Sequence, residues 1–225
     1  MQRTLRRVIG SVQLEFQRRR AEKRFPFLRE DGERMRPIET AMRPCHASYV
    51  SDVSAPGMAV SLPTALLLRR LCEDLRPRRV LDLGSGFSSF VLRSYAASQR
   101  DVTAWSVDDD DAWLQRTRDF LLGHGLATEH LVDWEEFQSA DPGPFDLVFH
   151  DLGGMELRMQ AFDRALELGA RGVVLLDDMH KPHYSKYVAE RLQTQPCCRL
   201  DLEFCTRDEL GRFCVLLTDF GDPAD

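Results

Sequence analysis

Residues 80–89 read Val-Leu-Asp-Leu-Gly-Ser-Gly-Phe-Ser-Ser. An apolar run enters a turn that holds Gly84 and Gly86, and a helix-like stretch from Ser88 follows. Glycine lets a backbone bend sharply and come close to a ligand. The helix start adds N–H groups that point at the same place. This layout alone suits any nucleoside ligand, a dinucleotide included. Asp82, two residues before the first glycine, narrows the choice. A pyrophosphate gains nothing from a carboxylate there, whereas a cationic ligand does. Asp108 closes the next apolar run, in Val107-Asp108-Asp109-Asp110-Asp111. An acid at that point can accept hydrogen bonds from both hydroxyls of a ribose. The three acids after it suit the dipole of a helix N-terminus.

Two further stretches carry polar pairs. Residues 145–151 end an apolar run in His150 and Asp151, and 177–184 read Asp-Asp-Met-His-Lys-Pro-His-Tyr. Histidine can take a proton from a hydroxyl or amine near neutral pH. His180, His183 and Asp151 are therefore the candidate bases. Asp177 and Asp178 read equally as caps of the helix that follows or as direct substrate contacts.

The elements that must hold these residues alternate in type. Helices are expected over 61–75, 88–97, 112–122 and 156–168, with another around 184–192. Strands are expected over 79–83, 102–107, 130–133, 145–150 and 172–176. The run 172–176 is wholly apolar, as in a strand buried on both faces. Leu200, Leu202 and Phe204 then alternate with polar residues, a polar turn spans 207–211, and 213–217 returns as a strand. That is an antiparallel hairpin after a βα series. The fold class is α/β: a doubly wound, Rossmann-like sheet, mostly parallel, with a terminal antiparallel hairpin and an N-terminal helical extension. Ligands of such sheets bind beyond the carboxyl ends of the strands.

In these residues the chain resembles the class I S-adenosylmethionine-dependent methyltransferases, over about residues 60–219. Asp82-Leu83-Gly84-Ser85-Gly86 is similar to their first motif, and Asp108 matches their ribose-binding acid. The resemblance implies an S-adenosylmethionine site built from Asp82, Gly84, Ser85, Gly86, Ser88, Asp108 and Asp151. It adds Asp133 and Trp134 for adenine, with core packing of Trp134 as the alternative. A narrower resemblance is to the catechol-type O-methyltransferases, which use a divalent metal. It implies a magnesium-type site at Asp151, Asp177 and Asp178, although Met179 stands where that family has asparagine. The implied reaction is methyl transfer to an oxygen or nitrogen of a small molecule. An NAD-dependent oxidoreductase and an inactive cofactor-binding module are the rival readings.

Composition bounds the partners. Residues 1–43 carry 12 Lys and Arg against 6 Asp and Glu, and the remainder carries 18 against 30. An acidic catalytic domain argues against nucleic acid and for a small or cationic substrate. Six cysteines without metal spacing suit a reduced, cytoplasmic protein. No apolar run reaches the length of a membrane span, and no signal peptide is read at the N-terminus. The chain divides into an extension, 1–60, and a cofactor-binding domain, 61–225. In 4–24, Leu5, Val8, Ile9, Val12 and Phe16 share one face of a basic helix. The expectation is that this stripe packs on the domain. A substrate lid, a homodimer arm or contact with an anionic membrane surface are the alternatives. Residues 25–60, rich in proline, read as an irregular segment that helps shape the substrate pocket.

Overall fold

The computed structural model describes residues 2–29 and 33–221, with the backbone alone over 2–11. The chain begins with α1 (Gln2–Arg24), a single-turn 3-10 helix and α2 (Arg36–Asp52). The series then runs α3 (Leu62–Leu75), β1 (Arg79–Leu83), α4 (Phe87–Ala97), β2 (Thr103–Asp108) and α5 (Asp111–Gly123). Next come β3 (Leu131–Asp133), α6 (Trp134–Ala140), β4 (Leu147–His150), α7 (Met155–Gln160) and α8 (Phe162–Gly169). The chain closes with β5 (Val173–Leu176), α9 (Pro182–Arg191), β6 (Cys198–Asp201), α10 (Glu203–Thr206) and β7 (Val215–Thr218).

The strands make one sheet in the order β3-β2-β1-β4-β5-β7-β6. The first five are parallel, and β7 inserts antiparallel between β5 and β6. All of β4, β5 and β7 is buried, because helices cover both faces. One apolar layer joins Phe87, Val91 and Leu68 beneath the sheet, and another joins Phe145, Phe162 and Leu166 on its far side. The order reverses between β1 and β4, which opens a crevice at their carboxyl ends.

Four expectations are corrected. Residues 25–60 are not irregular: α2 occupies seventeen of them. Pro37 fits its first turn, and Pro44, in its interior, removes one helical bond. Buried Met42 and Tyr49, two turns apart, anchor the helix regardless. The described part of the stripe on α1 does not pack on the domain: Val12 and Phe16 are 65% and 68% exposed. Leu14, Gln17 and Ala21 lie on the inner face instead, and Gln17 Nε2 donates to Asp201 Oδ2 at 3.3 Å. The side chains of Leu5, Val8 and Ile9 lie outside the described residues.

The helix expected over 156–168 breaks at Ala161, because its halves serve different partners. The second half buries Phe162, Ala165 and Leu166, while the first turns Arg158 toward the strand ends. In the terminal hairpin, β6 stops at Asp201 and 203–206 coil into a helical turn. Thr206 Oγ1 donates to Leu202 O (2.8 Å) and accepts from Cys214 N (3.0 Å), which replaces a ladder pair.

Candidate active site

Gly84 sets the geometry. Its φ is +109°, and a β-carbon there would lie 2.5 Å from the carbonyl oxygen of Asp151. Only glycine lets the end of β1 pass so close to the end of β4. Gly84 N donates to Val107 O (2.8 Å) and Asp151 N donates to Leu83 O (2.6 Å), so three strand ends are tied together.

Asp108 holds the turn from the side. Its Oδ2 accepts from Ser85 N (2.7 Å), and its Oδ1 from Asp109 N (3.0 Å) and Asp110 N (3.2 Å). Burial pushes its pKa up to about 6, against the pull of those bonds. Asp82 holds the turn from below, fully buried. Its Oδ2 accepts from Ser89 Oγ (2.5 Å) and Ser88 Oγ (3.0 Å), while Oδ1 has no partner. Burial lifts its pKa to about 7, with the two hydroxyls acting the other way.

A cleft of about 450 Å³ lies over this turn. Asp108, Asp109, Asp110, Asp151, Asp177 and Asp178 line it, against Arg158, Lys181 and Arg212. Six carboxylates to three cations make a poor pyrophosphate site and a good one for a cation bearing a ribose. Gly57, Met58 and Ala59 close it from the N-terminal side.

No family model matches the sequence, and no curated protein does. Solved structures do match. A Podospora anserina methyltransferase bound to S-adenosylhomocysteine aligns with TM-score 0.59 at 13% identity, over 81% of this chain and 88% of its own. The O-methyltransferase TomG of Streptomyces achromogenes, involved in tomaymycin synthesis and complexed with S-adenosylmethionine, aligns at 0.56 and 17%, over 84% and 97%. An O-methyltransferase from Bacillus cereus, in complex with S-adenosylhomocysteine, aligns at 0.52 and 12%, over 89% and 94%. The chain has the class I methyltransferase fold.

Within that methyltransferase fold, the sequence candidates separate. Gly84, Ser85, Asp108 and Asp151 line the cleft, and Asp82, Ser88 and Gly86 support the turn beneath it. Asp133 and Trp134 do not reach it. Asp133 Oδ1 caps α6 by accepting from Glu136 N (2.7 Å), and Trp134 stacks on Phe137 with ring centres 5.9 Å apart. His183 is exposed on the first turn of α9, and His180 stands behind the cleft with Nδ1 3.5 Å from Asp178 Oδ1. His150 is buried with Nε2 2.9 Å from Arg158 O, and burial drops its pKa to about 3.

The three aspartates do not fit a divalent metal. Arg158 stands between Asp151 (2.5 Å) and Asp178 (2.8 Å), and Lys181 Nζ lies 2.5 Å from the same Asp178 Oδ2. Asp177 is already engaged, its Oδ1 accepting from Asp178 N (2.7 Å) and Cys214 Sγ (3.3 Å). Met179 is buried in the core. Among the described residues, no group of His, Cys, Asp and Glu converges on a metal position. Sequence reasoning missed Arg158, Lys181, Arg212 and Trp113. Trp113 is the clearest case: Nε1 donates to Ser85 O at 2.6 Å, and only its place one turn after Asp110 hinted at this.

A second cavity, of about 950 Å³, lies behind the 56–62 segment. Its walls come from α2, the start of α3 and residues 205–212, and mix apolar side chains such as Val50, Leu62, Leu66 and Leu67 with charged ones such as Glu39, Arg43, Arg70 and Arg207. Arg212 lines both spaces. It donates from Nη1 to Ala59 O (2.8 Å) and from Nε to Asp208 Oδ2 (2.7 Å).

Proposed function

We propose that this chain transfers a methyl group from S-adenosylmethionine to an oxygen or nitrogen of a small-molecule acceptor. The observation that carries this reading is the acidic cleft over the Gly84 turn, with Asp108 at the end of β2. A sulfonium cofactor supplies an already activated methyl, so the protein mainly aligns donor and acceptor. Asp108 would accept from the ribose hydroxyls. Ser85 and Gly84 give the backbone room beside it, and Asp82 keeps the turn in shape. Asp151 is the one proposed base that lines the cleft. His180 and His183 would act only after movement toward it.

The acceptor would come from the 950 Å³ cavity, whose size and mixed lining suit a drug-sized molecule with both apolar and polar groups. In that arrangement the extension 1–60 serves as a pocket element, with Pro56–Leu62 as the partition between acceptor and cofactor. Calorimetric titration with S-adenosylhomocysteine tests the reading. Micromolar binding is expected, with none for NAD. The reverse pattern would replace it with the oxidoreductase. Binding without turnover across a broad acceptor panel would favour the inactive module.

A further inference from the structure

Adjacent strand ends place Asp151, Asp177 and Asp178 within one crevice. Carboxylates so grouped need a cation. The chain supplies its own. The side chain of Arg158 is 6% exposed, and its guanidinium bridges Asp151 and Asp178. Three backbone carbonyls hold it as well. Nη2 donates to Asp151 O (2.8 Å) and Gly153 O (3.1 Å), and Nε to Leu152 O (3.4 Å). Lys181 adds a second charge on Asp178, on the same Oδ2 that Arg158 meets. Each carboxylate therefore meets one nitrogen of the guanidinium fork. An incoming ion would have to expel a buried guanidinium held by two carboxylates and three carbonyls.

We propose that Arg158 takes the position a divalent metal would hold, so that this chain binds no such metal there and works without one. The inference rests on the methyl-transfer reading only for what the crevice is used for. It carries a consequence for the acceptor. A guanidinium donates hydrogen bonds but leaves no open coordination position for an acceptor oxygen. Removal of a proton from the acceptor then falls to a protein base such as Asp151, and an acceptor already nucleophilic near neutral pH, as a carboxylate, an acidic phenol or a neutral amine is, needs none.

The test is Mn²⁺ titration of the chelator-treated chain, read by the electron paramagnetic resonance of the free ion. The wild-type chain is expected to bind no Mn²⁺ up to about a hundred micromolar. Arg158→Ala, with its fold checked by circular dichroism, is expected to gain one site, and adding Asp178→Asn is expected to remove it. Stoichiometric binding by the wild type that Asp178→Asn abolishes would overturn the proposal, and this arm needs no Arg158 variant to fold. A folded Arg158→Ala chain that still binds no Mn²⁺ would overturn it too. S-adenosylhomocysteine titration with and without magnesium runs alongside. Agreement within twofold supports the proposal, and a tenfold gain with magnesium contradicts it. Absence of binding in both conditions removes the methyl-transfer reading and leaves the Mn²⁺ result to stand alone.

Discussion

Replacing Gly84 with alanine places a β-carbon 2.5 Å from Asp151 O and 2.9 Å from Leu152 N. Two costs add. A side chain at a φ of +109° is strained by about 1–3 kcal/mol. Overlap with backbone, which no rotamer change relieves, adds about 1–3 kcal/mol. The middle of the sum is about 4 kcal/mol, or roughly 8–16 °C in Tm for a chain of this size. Gly143→Ala is the control: its φ is +80°, and nothing lies within 4 Å of the new carbon. It should show the strain cost alone. Urea unfolding followed by circular dichroism gives both values. Equal losses in the two variants would refute the claim that β1 and β4 are in contact through Gly84. A loss under about 0.5 kcal/mol for Gly84→Ala would refute the strain as well.

Other measurements bear on single residues. Asp108 has its pKa raised to about 6, so its carboxylate is ionised above that pH and becomes a donor below it. S-adenosylhomocysteine affinity should be flat above pH 7 and fall as the pH drops through 6; Asp108→Asn should weaken binding roughly ten- to a hundredfold at pH 8 and flatten the profile. Asp82 has its pKa raised from 3.8 to about 7, so the folded chain holds that proton more tightly than the unfolded one. The resulting stability is fully present below about pH 4 and lost as the pH rises through 7, and unfolding free energies for Asp82→Asn should lack that slope. Ser61 Oγ accepts from Thr64 N at 3.2 Å as the cap of α3; Ser61→Ala should cost about 1 kcal/mol, a Tm fall of roughly 2–4 °C by calorimetry.

The order of strands and helices from residue 61 onward was legible because each strand is short, apolar and punctuated. The turn at Gly84 and the acid at Asp108 were legible for a related reason: glycine and a strand-end carboxylate are rare local choices with few physical uses. What the sequence hid depends on long-range geometry. Arg158 sits in an ordinary amphipathic stretch, and nothing local says that its helix breaks at Ala161 and aims it at two aspartates. The prolines of 25–60 masked α2 because two buried anchors two turns apart are a faint signal. On α1 the periodicity did not reveal that Val12 and Phe16 face outward; over the described side chains the domain takes the face with Leu14, Gln17 and Ala21.

The place of β7 in the sheet has a consequence for how the chain is made. It follows β6 in the chain, yet it lies between β5 and β6 rather than at an edge. Until residues 215–218 leave the ribosome, β5 has one neighbour and an open apolar edge, and β6 has no partner in the sheet. Arg212, shared by the two cavities, is fixed only three residues before that strand. A nascent chain can thus assemble the Gly84 turn and Asp108 early but keeps a sticky, unfinished flank until residues 215–218 are free to pair. Premature termination before residue 215 would leave the edge of β5 and all of β6 unpaired and yield an aggregation-prone product.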